Sequence, residues 1–241
     1  MNETLSNPAL PAPYTSVWVV IPAYNEQRSV REAVQHVQRY IPNVVVVDDC
    51  SKDRTSDEAL EGGAHVLRHP INRGQGAALR TGMDYALAKG ADVIVHFDAD
   101  GQMQPEQIPH MVKPVAVGDV DIALGSRFLV DVSNIPPLRR IILKGGIVFT
   151  RIISGLNLTD THNGFRVMNR YAAQKICIVQ DRYSHASEIL DEIAKHKLRY
   201  IEIPVTVTYS DEAMAAARER GQNSFNAIKI AFRVIWGKLL S

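Results

Sequence analysis

The chain has 241 residues, 46% of them hydrophobic and 22% charged, with a formal net charge of +1. That length allows one large domain with a substantial buried core, and near-neutrality excludes whole-chain electrostatics as a route to nucleic acid. No stretch approaches the roughly 20 uninterrupted apolar residues of a spanning helix, and the distant cysteines Cys50 and Cys177 form neither a disulfide framework nor a zinc spacing.

The cysteines read as packed small hydrophobes suited to a reducing compartment. Residues 1–16, rich in Pro, Ser, Asn and Ala, lack a basic start and an apolar run and read as a flexible tail rather than a leader. The apolar run 17–21, ending at Pro22, predicts a buried strand. Residues 44–47 predict a second, stopped by Asp48 and Asp49; 64–67 a weaker third; 93–97 a clear fourth; and 122–124 a short fifth. Val30, Val34, Val37 and Ile41 recur at helical spacing, and 77–88 is rich in helix formers. Strand alternating with helix predicts an α/β fold with a mostly parallel central sheet flanked by helices. Ligands bind such sheets beyond the carboxyl ends of the strands.

That rule gives the polar punctuation its meaning. The first strand runs into Pro22-Ala23-Tyr24-Asn25-Glu26, the second into Asp48-Asp49 and the fourth into Asp98-Ala99-Asp100, so all three clusters should open onto one edge. Side chains alternate along an extended segment, which points Asp98 and Asp100 the same way, and Gly101 permits a sharp turn after them. Two oxygen ligands there suit Mg²⁺ or Mn²⁺, hard cations that share their shell with phosphate oxygens. A strand end closed by an Asx turn is the plainer alternative for a lone Asp-X-Asp. Four acids gathered at one edge would be electrostatically costly without a cation.

Val20-Ile21-Pro22-Ala23-Tyr24-Asn25-Glu26, Val47-Asp48-Asp49-Cys50-Ser51-Lys52-Asp53-Arg54-Thr55, Asn72-Arg73-Gly74-Gln75-Gly76-Ala77-Ala78-Leu79, Asp98-Ala99-Asp100-Gly101-Gln102 and Gly125-Ser126-Arg127 occur in this order. Together they resemble glycosyltransferase family 2, in particular its dolichyl-phosphate mannose synthase-like branch, from about residue 17 onward. The resemblance implies the GT-A nucleotide-diphospho-sugar transferase fold over 17–208, followed by a loop and a C-terminal amphipathic helix over 209–241. It implies a nucleotide-sugar site built from Pro22, Ala23, Tyr24, Glu26, Asp49, Asn72, Gly76 and Asp98, and a Mg²⁺ or Mn²⁺ site at Asp98, Asp100 and Gln102. Gln75 departs from the family, where Lys often stands between the two glycines; as a phosphate loop this segment is weak, and a plain helix start is the alternative reading.

The resemblance makes Arg127 a phosphate-holding or catalytic residue, with a surface charge as the alternative. Asp160-Thr161-His162-Asn163-Gly164-Phe165-Arg166 resembles the acceptor-side segment, in which Arg166 holds phosphate or pairs with Asp160. For a hydroxyl acceptor the candidate bases are Glu188 and Asp191, three apart on one helical face, with His185 as a third; a lipid-phosphate acceptor is already ionised and needs none. Between 132 and 159 there are no acids, and Arg139, Arg140, Lys144 and Arg151 interleave with apolar residues. That run suits an anionic membrane surface or packs on the sheet with its charges turned outward. By resemblance Arg139 lies near the acceptor phosphate.

Glu202-Ile203-Pro204-Val205-Thr206-Val207 reads as an edge strand. The polar loop after it, carrying Arg218 and Arg220, is long enough for a lid over the donor or the acceptor phosphate. Phe225, Ile228, Phe232, Ile235 and Leu239 then form an apolar helical stripe that would meet a membrane, the protein itself or a second copy in a homodimer. The expectation is a metal-dependent inverting transferase, cytoplasmic and peripheral on the inner face of the membrane. It would move a sugar from a UDP-, GDP- or dTDP-sugar to a polyprenyl phosphate or a growing surface glycan. Nucleotidyl transfer would require a basic Gly-rich loop after the first strand, where Pro22-Ala23-Tyr24-Asn25-Glu26 stands instead. A non-catalytic nucleotide-sugar-binding or membrane adaptor is the alternative from a different class.

Overall fold

The computed structural model describes residues 16–129, 155–161, 163–179 and 185–208. Arg139, Arg220, the basic apolar run up to residue 154, the 209–223 loop, the C-terminal helix and the tail before Ser16 lie outside the described residues.

The first half alternates as expected: β1 (Val17–Ala23), α1 (Val30–Gln38), β2 (Asn43–Asp48), α2 (Thr55–Glu61), β3 (His65–Arg68), α3 (Gln75–Ala88) and β4 (Val93–His96). A single 3₁₀ turn (Pro105–Gln107) leads into α4 (Ile108–Ala116), and β5 (Ile122–Ser126) follows. Then come β6 (Arg166–Asn169), α5 (Arg170–Lys175), α6 (His185–Lys195) and β7 (Tyr200–Pro204). The strands form one sheet in the order β3-β2-β1-β4-β6-β5-β7. β1 pairs in parallel with β2 and β4, β2 with β3, and β5 with β7, while β6 runs antiparallel between β4 and β5.

The valine-rich strands are buried on both faces because helices cover both. Along β1, Val17, Val19 and Ile21 join a core with α1 and α4, through Val30, Val34, Met111 and Val112. Trp18 and Val20 belong to the opposite core, with Ala78, Leu79 and Met83 of α3 and Ile189 and Ile193 of α6. Such strict alternation follows from the period of two along a strand.

β6 was not anticipated as a strand. Its four residues, Arg166-Val167-Met168-Asn169, begin and end polar, too short a pattern to show a period. It matters because it brings Arg166 opposite His96 across the β4 pairing. The expected edge strand is β7, which ends at Pro204; a lone bridge between Met103 and Val207 extends the contact. The cysteines are not core residues: Cys177 is exposed, and Cys50 is half-buried with φ 64°.

α3 lies close on β1 because Gly82 has no side chain; a Cβ there would run into Val20 Cγ1 and stand 3.2 Å from Val47 Cγ2. Gly82→Ala should therefore destabilise the protein by about 1–3 kcal/mol through overpacking, despite alanine's better helix propensity. Denaturant unfolding checks the sign: a stabilised variant would contradict this packing.

Candidate active site

The carboxyl ends of β1, β2 and β4 open onto one edge, as the parallel pairing requires. The loops after β1 and β2 are bonded to each other there. Asp49 N–H donates to the Ala23 carbonyl at 2.9 Å. Asn25, at φ 55°, donates its N–H to Ser51 Oγ at 2.9 Å and accepts from Lys52 N–H at 2.9 Å. Glu26 N–H donates to Thr55 Oγ1 at 2.8 Å; Gln27 N–H donates to Asp53 Oδ2 and Gln27 Oε1 accepts from Arg54 N–H, each at 3.2 Å. These side-chain bonds replace the ladder where the strands end. Pro22 and Ala23 are buried, while Tyr24 and Glu26 are half-buried in the loop.

The four acids at this edge divide into two kinds. Asp48 is fully buried and accepts from Ser51 N–H at 2.7 Å and from Ser56 Oγ, which closes the turn. Asp49, 3% exposed, accepts from Arg73 N–H at 2.9 Å, from Gly74 N–H at 2.5 Å and from His69 Nδ1 at 2.7 Å. Its backbone carbonyl accepts from Asn72 Nδ2 at 3.1 Å. Both carboxylate oxygens of Asp49 thus anchor the 69–74 loop. Gly76 is buried in the first turn of α3, directly beyond it.

Asp98 and Asp100 differ, because their charges act on each other. Ala99 between them is buried and both acids are half-buried; the strand ends at His96 and residues 99–100 form a turn, not the extended segment expected from the sequence. Asp98 Oδ1 accepts from Gln75 Nε2 at 3.0 Å. A Cβ on Gly164 would fall 2.6 Å from Asp98 Oδ2, so only glycine fits that wall. Asp100 Oδ1 accepts from Gln102 N–H at 3.1 Å across Gly101, at φ 73°. Thr208 N–H ties the Gln102 carbonyl down at 2.9 Å. Burial, then the Asp100 charge, raises Asp98 from its ordinary 3.8 to about 7; Glu26 adds to the rise, and Arg166 and Gln75 oppose it.

Behind the pair, Arg166 is 2% exposed, and its Nη1 has no acceptor. Burial lowers it to about 10, against the opposing charges of Asp98 and Asp160. His96, facing Arg166, is lowered to about 3 by burial, Arg166 and His185 and is therefore neutral at pH 7. The expected alternative, an Arg166–Asp160 hydrogen-bonded pair, is replaced by another. Arg127 Nε and Nη2 fork onto Asp160 at 2.6 and 2.7 Å, and Arg127 N–H adds a third bond at 3.1 Å. Arg127 is 6% exposed, not a surface charge. Charges alternate along this line, from Asp98 through Arg166 and Asp160 to Arg127.

The base candidates are arranged otherwise. Glu188 Oε2 accepts from Val179 N–H at 3.0 Å, and Glu188 is not among the charges that shift Asp98. Asp191 is half-buried one turn further along α6. His185, at the start of α6, is buried near His96. Among the described residues no group of three or more His, Cys, Asp or Glu forms a complete metal-ligand set. Two acids, one of them raised, fit a cation that takes its remaining oxygens from a bound phosphate. Sequence reasoning missed Gly164 and the Gln75–Asp98 contact; Gln75 begins the helix whose first turn faces this edge, a usable signal. Removing the Arg127 guanidinium would leave Asp160 buried and uncompensated, so Arg127→Met should cost about 3–5 kcal/mol of stability. Unfolding that matched wild type would show the pair to be dispensable.

The family model for glycosyl transferase family 2 matches residues 18–177. An undecaprenyl-phosphate mannosyltransferase of Micrococcus luteus is 34% identical over 79% of this chain and 82% of its own length. A polyprenol monophosphomannose synthase of Mycolicibacterium smegmatis is 30% identical over 97% and 92%. Among solved structures, glucosyl-3-phosphoglycerate synthase of Mycobacterium tuberculosis, in complex with Mn²⁺, UDP-glucose and phosphoglyceric acid, superposes with a TM-score of 0.62. It has 18% identity, and the match covers 80% of this chain and 70% of that one; it supports the GT-A fold. The strand-end motifs, the sheet they close and this kinship agree: the chain is a glycosyltransferase of family 2, in the dolichyl-phosphate mannose synthase-like branch.

Proposed function

We propose that this glycosyltransferase moves a sugar from a nucleoside-diphosphate donor to a polyprenyl phosphate or a growing glycan, with inversion at the anomeric carbon. The observation that carries this reading is the acid pair Asp98/Asp100. It stands at the donor edge of the sheet, where burial, then the Asp100 charge, lifts Asp98 to about 7. Asp98 and Asp100, with Gln102, hold Mg²⁺ or Mn²⁺. When bound, the cation supplies charge neutralisation to the departing diphosphate.

Pro22, Ala23, Tyr24, Glu26, Asn72 and Gly76 line the nucleotide pocket, and Asp49 acts from behind by fixing the 69–74 loop. Arg127, Arg139, Arg166 and Arg220 form the phosphate-holding side. The fork with Asp160 fixes Arg127 in advance, so little ordering entropy is lost on binding. The reading favours an acceptor that arrives already ionised and needs no side-chain base. Two relatives named for lipid-phosphate acceptors support the same choice. No helix among the described residues is long and apolar enough to cross a membrane. The run 132–159 and the C-terminal stripe, which lie largely outside the described residues, are the candidates for contact with a cytoplasmic membrane surface or, for the stripe, with a second copy.

A transfer assay tests this with labelled UDP-, GDP- and dTDP-sugars, Mn²⁺ and polyprenyl phosphate in vesicles. One donor should yield a chelator-sensitive lipid product, and Asp100→Ala should lower kcat by about 100-fold or more, as loss of a charge-stabilising group does. Equal rates in the variant and wild type would remove the acid pair from the chemistry.

The raised Asp98 also sets a pH dependence. Between its ordinary 3.8 and about 7 the folded chain keeps a proton that the unfolded chain has lost. Metal-free stability therefore falls as pH rises through that window. Bound Mn²⁺ must displace the proton, so Mn²⁺ affinity should weaken by up to about tenfold per pH unit below 7. Calorimetry at a series of pH values checks this; an affinity flat below pH 7 would mean that Asp98 is already ionised.

A further inference from the structure

Gln75 contributes no charge to a phosphate, yet its position is fixed from both sides. On one side, Gly74 N–H donates to Asp49 Oδ2 at 2.5 Å and Arg73 N–H to Asp49 Oδ1 at 2.9 Å, which holds the start of α3 to the end of β2. Gly74 takes φ 93° to make that turn, a conformation open to glycine. On the other side, Gln75 Nε2 donates to Asp98 Oδ1 at 3.0 Å, and the bare α-carbon of Gly164 walls in Oδ2. Asp98 Oδ1 is therefore held by a neutral amide, while Oδ2 faces Gly164, where no side chain would fit.

An amide aims a carboxylate without cancelling its charge, whereas an ammonium at the same place would do both. We propose that Gln75 is a positioning residue for the transferase reaction, orienting Asp98 through a neutral donor that adds no positive charge in competition with the divalent cation. The inference rests on the metal role assigned above to Asp98 and Asp100. Asp49 is the remote end of the same device, because it holds the loop that sets Gln75 in place.

The test is Mn²⁺ binding to the full chain, followed by electron paramagnetic resonance of free Mn²⁺, for wild type, Gln75→Met and Gln75→Lys. Metal-free thermal unfolding is recorded alongside. Gln75→Met keeps the length and removes the donor, so its Mn²⁺ affinity should fall about threefold, the scale of one lost neutral hydrogen bond. Gln75→Lys keeps a donor and adds a cation, so affinity should fall about tenfold or more while the metal-free melting temperature rises. That rise should vanish in an Asp98→Asn background, which ties it to the contact with Asp98. A merely structural residue would move stability and affinity together; here they move in opposite directions. Gln75→Lys binding Mn²⁺ within about twofold of wild type, or losing stability along with affinity, would overturn the role of Gln75 alone. Wild type that binds no Mn²⁺, alone or with a nucleoside diphosphate, would overturn the metal assignment first, and this proposal with it.

Discussion

Asp98 and Asp100 stand two residues apart just beyond the end of a buried strand, and burial, together with the Asp100 charge, raises the pKa of Asp98 to about 7. Two like charges this close are unfavourable in the folded chain, and the surroundings limit the penalty without removing it. Arg166 lies behind Asp98 and lowers its pKa in part, while Gln75 contributes a neutral bond. His96, the nearest other ionisable group on β4, is driven neutral and adds no positive charge. The remaining negative potential faces the open edge of the sheet, where a divalent cation with its phosphate ligands is the natural counter-charge.

The architecture around the pair converts the sheet into a rigid frame. β1 and β2 are covered on both faces, and their following loops are bonded to each other through Asn25, Ser51, Glu26 and Thr55. Asp49 then passes the position of β2 to α3, and α3 passes it to Asp98. On the far side, antiparallel β6 brings Arg166 beside β4, and the segment before it carries Gly164 and Asp160. The Arg127–Asp160 fork closes that side at the end of β5. Preorganisation of this kind suits a reaction in which positioning and charge stabilisation carry most of the rate.

Much of the frame was legible in the sequence because the strands 17–21, 44–47 and 93–97 are apolar runs stopped by polar clusters, and parallel pairing places all their ends together. The acid pair was legible for the same reason. Asp48 and Asp49, counted from the sequence among four acids that need a cation, are instead satisfied within the protein, by Ser51 N–H and the Ser56 hydroxyl for Asp48 and by Arg73 N–H, Gly74 N–H and the His69 ring for Asp49. Those partners lie up to 25 residues away and leave no local pattern. β6 escaped detection because a four-residue strand with polar ends has no measurable period. The exchange of Asp160's partner from Arg166 to Arg127 depends on how β5 and β6 lie side by side, which no single segment encodes.

The proposed function makes one physical claim: the acid pair and a divalent cation together receive the donor's diphosphate. Calorimetric titration of nucleotide sugars into wild type and Asp100→Ala, with and without Mn²⁺, tests this most directly. The account predicts that one donor binds wild type only when Mn²⁺ is present, and that the variant binds it in neither condition. Donor binding that is indifferent to both metal and Asp100, in protein shown to be folded, would contradict it.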